Sequence, residues 1–150
     1  MAVVAYLDLA GSKTGTVQGS TATKGHEGKI AVTAVDHSIL TPRDAATGMA
    51  TGKRQHQPLM ISKEVDRSSP LLHQMQAQNE VAKKWELQFW RASPTTGQDQ
   101  QIYTIRLTNA VIASVHEQSL NEDVAFSYEK IEWVWVDGGI TAMDSMSAAV

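Results

Sequence analysis

Cysteine is absent from the 150 residues, which excludes disulfides, thiolate metal sites and a cysteine nucleophile and leaves the fold indifferent to redox compartment. Long apolar runs are missing as well. No stretch approaches the ~20 residues a membrane-spanning helix needs, so membrane insertion is not expected. The apolar start MAVVAYLDLAGSK is interrupted by Asp8 and preceded by no basic residue; it fails as a signal peptide, and export would require a route that reads none. An excess of positive charge is lacking too. Thirteen Lys and Arg against 16 Asp and Glu give a net charge of -3, without the basic stripe that neutralises a phosphate backbone, so nucleic acid is not an expected partner. Hydrophobic residues at 42% suffice for one core, and the length fits a single domain over 1–150.

What the chain does have is period-two alternation. Val3, Ala5, Leu7 and Leu9 share one face of a first strand, and Ile30, Val32 and Ala34 lie opposite Ala31, Thr33 and Val35 in another. Further strands are expected over 59–65, 81–92, 101–116 and 124–136. The segments 93–99, with Pro94 and Gly97, and 120–123 have the composition of tight hairpin connections. Residues 41–58 carry Pro42, Gly48, Gly52 and Pro58 among small polar residues with no sustained period. That predicts a long loop, and loops of such length in compact domains usually serve a function. After the strand at 59–65, in which Leu59, Ile61 and Val65 alternate with Met60, Ser62, Glu64 and Asp66, Ser69 is placed as an N-cap and Pro70 as the first residue of a short helix. Leu71, Leu72 and Met75 would form its buried stripe, and Gln74, Gln76 and Gln78 its wet side. The fold class expected is mainly β: an antiparallel barrel or sandwich with one short α-helix and a long protruding loop.

Chemical motifs fare poorly. AGSKTGT lacks the glycines of a phosphate-binding loop, having Leu7 and Ser12 where they would stand. His116-Glu117 and His26-Glu27 begin a zinc-protease pattern, but Leu120 and Ile30 occupy the second histidine position. Ser127 and Lys130 have the spacing of a serine–lysine pair, which requires a helix and here falls in a strand. His37, His56, Asp36 and Asp44 are suitable metal ligands, yet their spacing does not gather them. Accordingly no catalytic residue, metal or cofactor is expected, and a small metal-dependent hydrolase using His37 or His56 is the minor alternative.

Aromatic residues are sparse but concentrated. Trp85, Leu87 and Phe89 point to one face of their strand while Trp90 falls on the other, and Ile131, Trp133 and Trp135 face away from Val134 and Val136. Apolar side chains on both faces leave two readings for these aromatics: the core of a closed barrel or sandwich with one large edge-covering loop, or burial of the excess by neighbouring subunits.

The residues Asp36-His37, Pro42, Asp44, Thr47-Gly48, Gly52, Arg54, His56 and Pro58, then Lys63 through Leu71, and later Tyr128 through Trp133 with Asp137-Gly138-Gly139, resemble the signature of haemolysin-coregulated proteins, the tube proteins of bacterial type VI secretion. The likeness runs over nearly the whole chain. It departs in a shorter connection at 117–123 and in Met146, where a tryptophan is common. The resemblance implies a β-barrel with a helix on its side, assembled as a homohexameric ring whose copies stack into the inner tube of a contractile apparatus. The long loop would then make inter-ring contacts through Arg43, Asp44, Thr47, Gly48, Lys53, Arg54 and His56. The sheath, spike and baseplate proteins would be partners, and small effector proteins would be carried in the lumen. Assembly would take place in the bacterial cytoplasm and be followed by secretion. A phage-like contractile tail tube protein, similar in fold, is the nearer alternative.

Overall fold

The computed structural model describes residues 4–146, so Val3 lies outside the described residues. Thirteen strands and one helix run in the order β1 (Val4–Gly11), β2 (Gly15–Val17), β3 (Ile30–Val32), β4 (Ala34–Asp36), β5 (Ile39–Leu40), β6 (Gln55–His56), β7 (Leu59–Glu64), α1 (Ser69–Ala77), β8 (Ala82–Ala92), β9 (Asp99–Thr108), β10 (Val111–Gln118), β11 (Asn121–Ser127), β12 (Lys130–Trp135) and β13 (Ile140–Ser145). Seven of them make one sheet in the order β13-β12-β9-β8-β1-β2, with β3 also pairing β1. Four more make a second sheet, β10-β11-β7-β4, and β5 pairs β6 alone. Every described pairing is antiparallel.

The two sheets close on one apolar core. Leu7, Leu9, Trp85, Leu87, Ile105 and Ile131 meet Leu59, Ile61, Val124 and Phe126, and the Trp85 ring meets Phe126 edge-on at a centroid distance of 5.4 Å. Chain corners carry the backbone between sheets. At Thr33 the strand leaves β1 for β7, and both Thr33 N–H and Oγ1 donate to the Ser62 carbonyl. Among the described residues hydrogen bonding does not continue around a full circle, so their architecture is a barrel-like sandwich rather than a closed barrel.

Two expected strands are each split. The alternation over 101–116 hides a turn at Asn109, which adopts φ +52°, and the run at 124–136 breaks at Tyr128-Glu129. Neither break carries a glycine or proline, the residues that punctuate most turns. The 120–123 hairpin sits two residues earlier than its composition suggests: Ser119 and Leu120 form the two-residue turn, both with positive φ, and Gln118 pairs Asn121 across it.

The helix begins at Ser69, with Ser68 as its cap residue making no side-chain cap bond and Pro70 in the first turn. Ser69 is thus one residue inside the helix, not the N-cap. Its hydroxyl is committed elsewhere, accepting from Asp66 N–H and donating to Glu122. Leu72 and Met75 are buried as expected, Leu71 is half-buried, and α1 packs against β10. On the other sheet the segment between β2 and β3 covers part of the second face. His26, buried, stacks on Tyr6 at 4.4 Å and meets Trp90 edge-on at 4.6 Å. This segment turns at Gly19, where a Cβ would lie 2.5 Å from the Lys29 carbonyl oxygen and 2.7 Å from Ile30 Cα; only glycine fits.

Candidate functional site

Residues 41–54 form an arm, built as a narrow hairpin. Its base is the β5–β6 pair, Ile39 opposite His56 and Leu40 opposite Gln55. Further out, Arg43 bridges to Ala50, Thr51 N–H donates to the Pro42 carbonyl and Asp44 N–H to that of Met49. The tip is self-contained. Asp44 Oδ1 accepts from Ala46 N–H at 2.8 Å, Thr47 Oγ1 from Met49 N–H, and the Arg43 guanidinium reaches the Gly48 carbonyl. Gly48 holds φ +76° with open space around it, a conformation that glycine adopts without strain. Arg43, Asp44, Thr47, Gly48 and Lys53 are all exposed.

Arg54 and His56, grouped with the tip in the sequence, do different work. Both converge on Asp144 of β13. Arg54 Nε and Nη2 donate to Asp144 Oδ2 and Oδ1 at 2.5 and 2.6 Å, and Nη2 also reaches the Ser145 carbonyl. His56 Nε2 lies 2.7 Å from Asp144 Oδ2 and its Nδ1 2.7 Å from the Tyr128 hydroxyl. One tautomer satisfies both partners: Nε2–H donates to the carboxylate and Nδ1 accepts from Tyr128. The bidentate fork is the geometry that arginine and carboxylate favour. Arg54 holds the Asp144 carboxyl far below its ordinary value against the opposing effect of partial burial, with His56 helping. Burial, together with the nearby Asp144 charge, pushes the Tyr128 hydroxyl up to about 12. The arm is therefore clamped to the last described strand.

The histidine and aspartate residues considered as a metal set do not assemble. His37 Nε2 accepts from Trp133 Nε1 at 3.4 Å, and burial, with the nearby His56, pulls its basicity down. His56 is spent on Asp144 and Tyr128, while Asp44 sits at the arm tip. Among the described residues the group with metal-ligand spacing is instead His73, Glu117 and Glu122. Sequence patterns missed it, because its members come from a helix and two strands.

The four tryptophans divide. Trp85 is 2% exposed and belongs to the core; Trp90 is half-buried over His26; Trp133 packs partly against the core; Trp135 is 40% exposed. Around Trp135, the last residue of β12, lie Val136 just past that strand, Ile140 and Met143 on β13 and Met146 just past β13, all exposed. The far edge of β13 pairs with no strand among the described residues. An open edge lined by apolar side chains is what a second chain docks on. Elsewhere the outer face is charged, with Arg106 bridging Glu86 and Glu132 at 3.0 and 2.9 Å.

A protruding arm, a strand clamped to its base and an apolar sheet edge characterise this two-sheet β protein. The solved structure of Hcp1 from E. coli EAEC 042 shares this fold with a TM-score of 0.86 and 32% identity, covering 96% of this chain and 99% of that one. The secreted protein Hcp3 from Pseudomonas aeruginosa gives 0.81 and 29% identity over 94% and 98%. The family model described as "Type VI secretion system effector, Hcp" matches residues 6–135. The Pseudomonas aeruginosa relative named "Major exported protein" is 32% identical over 171 residues, covering 100% of this chain and 99% of the relative. The chain belongs to the Hcp family. It is a secreted, structural tube protein of the type VI secretion system.

Proposed function

We propose that the chain builds the inner tube as homohexameric rings, closed through the exposed edge of β13 and stacked through the 41–54 arm. The apolar edge carries this reading: Trp135 on β12 is 40% exposed, Ile140 and Met143 on β13 are 67% and 55% exposed, and Met146 just past β13 is 41% exposed. Head-to-tail contacts through one surface close a ring when the rotation permits, leaving a second surface free for stacking. Ring contacts are then apolar and durable, whereas an exposed tip carrying Arg43, Asp44 and Lys53 makes weaker contacts that salt screens beyond ~10 Å. Sheath, spike and baseplate proteins surround the tube, and small effector proteins ride in its lumen. The role is structural rather than catalytic: the His56–Asp144–Tyr128 cluster is consumed in holding the arm. Light-scattering mass paired with negative-stain microscopy tests the reading. Six-fold rings at six times the 16.3 kDa chain mass are expected; a monodisperse monomer at high micromolar concentration would overturn it.

A further inference from the structure

Glu117 and Glu122 stand directly opposite each other near the end of the β10–β11 ladder, where like charges repel. Glu122 is fully enclosed, with no exposed side-chain surface. Its Oε1 is held at 2.6 Å by Lys63 Nζ and at 2.6 Å by Ser69 Oγ. Its Oε2 is buried with no hydrogen-bond partner, a rare state for a buried carboxylate oxygen. His73, exposed on α1, brings Nε2 to 3.6 Å from that oxygen and 3.5 Å from Glu117 Oε1. All three ligand atoms lie within 4.8 Å of one another.

We propose that His73, Glu117 and Glu122 form a binding site for one divalent transition ion of the zinc type. Zinc takes imidazole nitrogen and carboxylate oxygen at ~2.0–2.2 Å in tetrahedral array, which sets neighbouring ligand atoms roughly 3.3 Å apart. The two distances from His73 exceed that by a few tenths of an ångström. Glu117, half exposed, has the freedom to close the third side. An imidazole among the ligands disfavours calcium and magnesium, which take oxygen shells. Lys63 and Ser69 fix the other Glu122 oxygen, the orienting role that outer partners play at metal sites. The bound ion would offset the opposed glutamates, satisfy the orphaned oxygen and fasten α1 to the β10–β11 hairpin.

Calorimetric titration of the chelator-stripped full chain with zinc chloride at pH 7.5 provides the test, alongside thermal melting with and without the metal. One ion per chain and a raised Tm are expected. His73→Ala and Glu117→Gln should each weaken binding at least ~10-fold and abolish the Tm rise. His116→Ala, whose side chain lies with Gln118 on the opposite face of β10, should change neither. Circular dichroism verifies that the variants, altered at half-exposed positions, remain folded. Binding well below one ion per chain overturns the site, as does zinc binding that survives both substitutions. In those cases His73 serves only as a hydrogen-bonding neighbour of Glu117.

Discussion

Lys63→Met is the most informative single perturbation of this fold. The Lys63 ammonium, fully enclosed, lies 2.6 Å from Glu122 Oε1, 3.1 Å from Asp66 Oδ1, 2.9 Å from the Glu64 carbonyl and 3.3 Å from Ser69 Oγ. Burial raises the Glu122 carboxyl, but the hydrogen bonds from Lys63 and Ser69 outweigh it and leave the group below its ordinary value. Removing the ammonium strands a buried carboxylate on one hydroxyl donor, and breaking such a pair from one side costs about 3–5 kcal/mol. A domain of this size has roughly 5–15 kcal/mol in hand and loses about 2–4 °C of Tm per kcal/mol. The expected fall is therefore on the order of 6–20 °C. Urea unfolding at matched protein concentration, with chelator present, should show a lower midpoint at unchanged slope. Lys63→Met combined with Glu122→Leu should recover most of the loss, because apolar replacement of a whole buried pair is often neutral. A single-variant loss below about 1 kcal/mol, or a double variant no better than the sum of its parts, would refute the assignment of the pair as a buried, mutually dependent ion pair.

Three further outcomes follow. Asp144→Asn should loosen the arm without unfolding the core, read as faster tryptic cleavage at Arg43, Lys53 and Arg54. The folded Asp144 carboxyl lies far below its ordinary value; its contribution is therefore complete above the ordinary carboxylate range and lost only as pH falls through the folded value, so wild-type cleavage should stay slow across the whole pH range in which trypsin works. Gly19→Ala should destabilise by about 1–3 kcal/mol, since backbone atoms rather than flexible side chains occupy the space; an unchanged melting curve would contradict the close approach. Trp135→Asp should leave the chain folded and prevent rings in size-exclusion chromatography, whereas Trp85→Ala should cost about 3–5 kcal/mol of stability. Equal effects would dissolve the distinction between edge and core.

The strands, helix and arm were legible because alternation survives wherever one face is buried. The breaks at Asn109 and at Tyr128-Glu129 were not: neither carries glycine or proline, and Asn109, which takes a positive φ as asparagine readily does, stands alone in an otherwise unbroken strand pattern. Lys63 did leave a signal. It falls on the same parity as Leu59 and Ile61, and a lysine on an inward face demands a partner. That partner, Glu122, is 59 positions away, and no local pattern predicts it. Asp144 was equally hidden, 90 residues from Arg54. Aromatics on both faces of β8 suggested subunit burial, yet the chain itself half covers Trp90 through His26.

Asp144 also links two surfaces that would otherwise be independent. It lies on the strand whose outer edge is proposed to close the ring, and it grips the base of the arm proposed to meet the next ring. In that arrangement a partner docking along β13 would stiffen the lever on which the arm is mounted. Lateral closure would then set the angle of axial contact, and the proposed assembly would have a built-in order in which completed rings, not loose subunits, lengthen the tube.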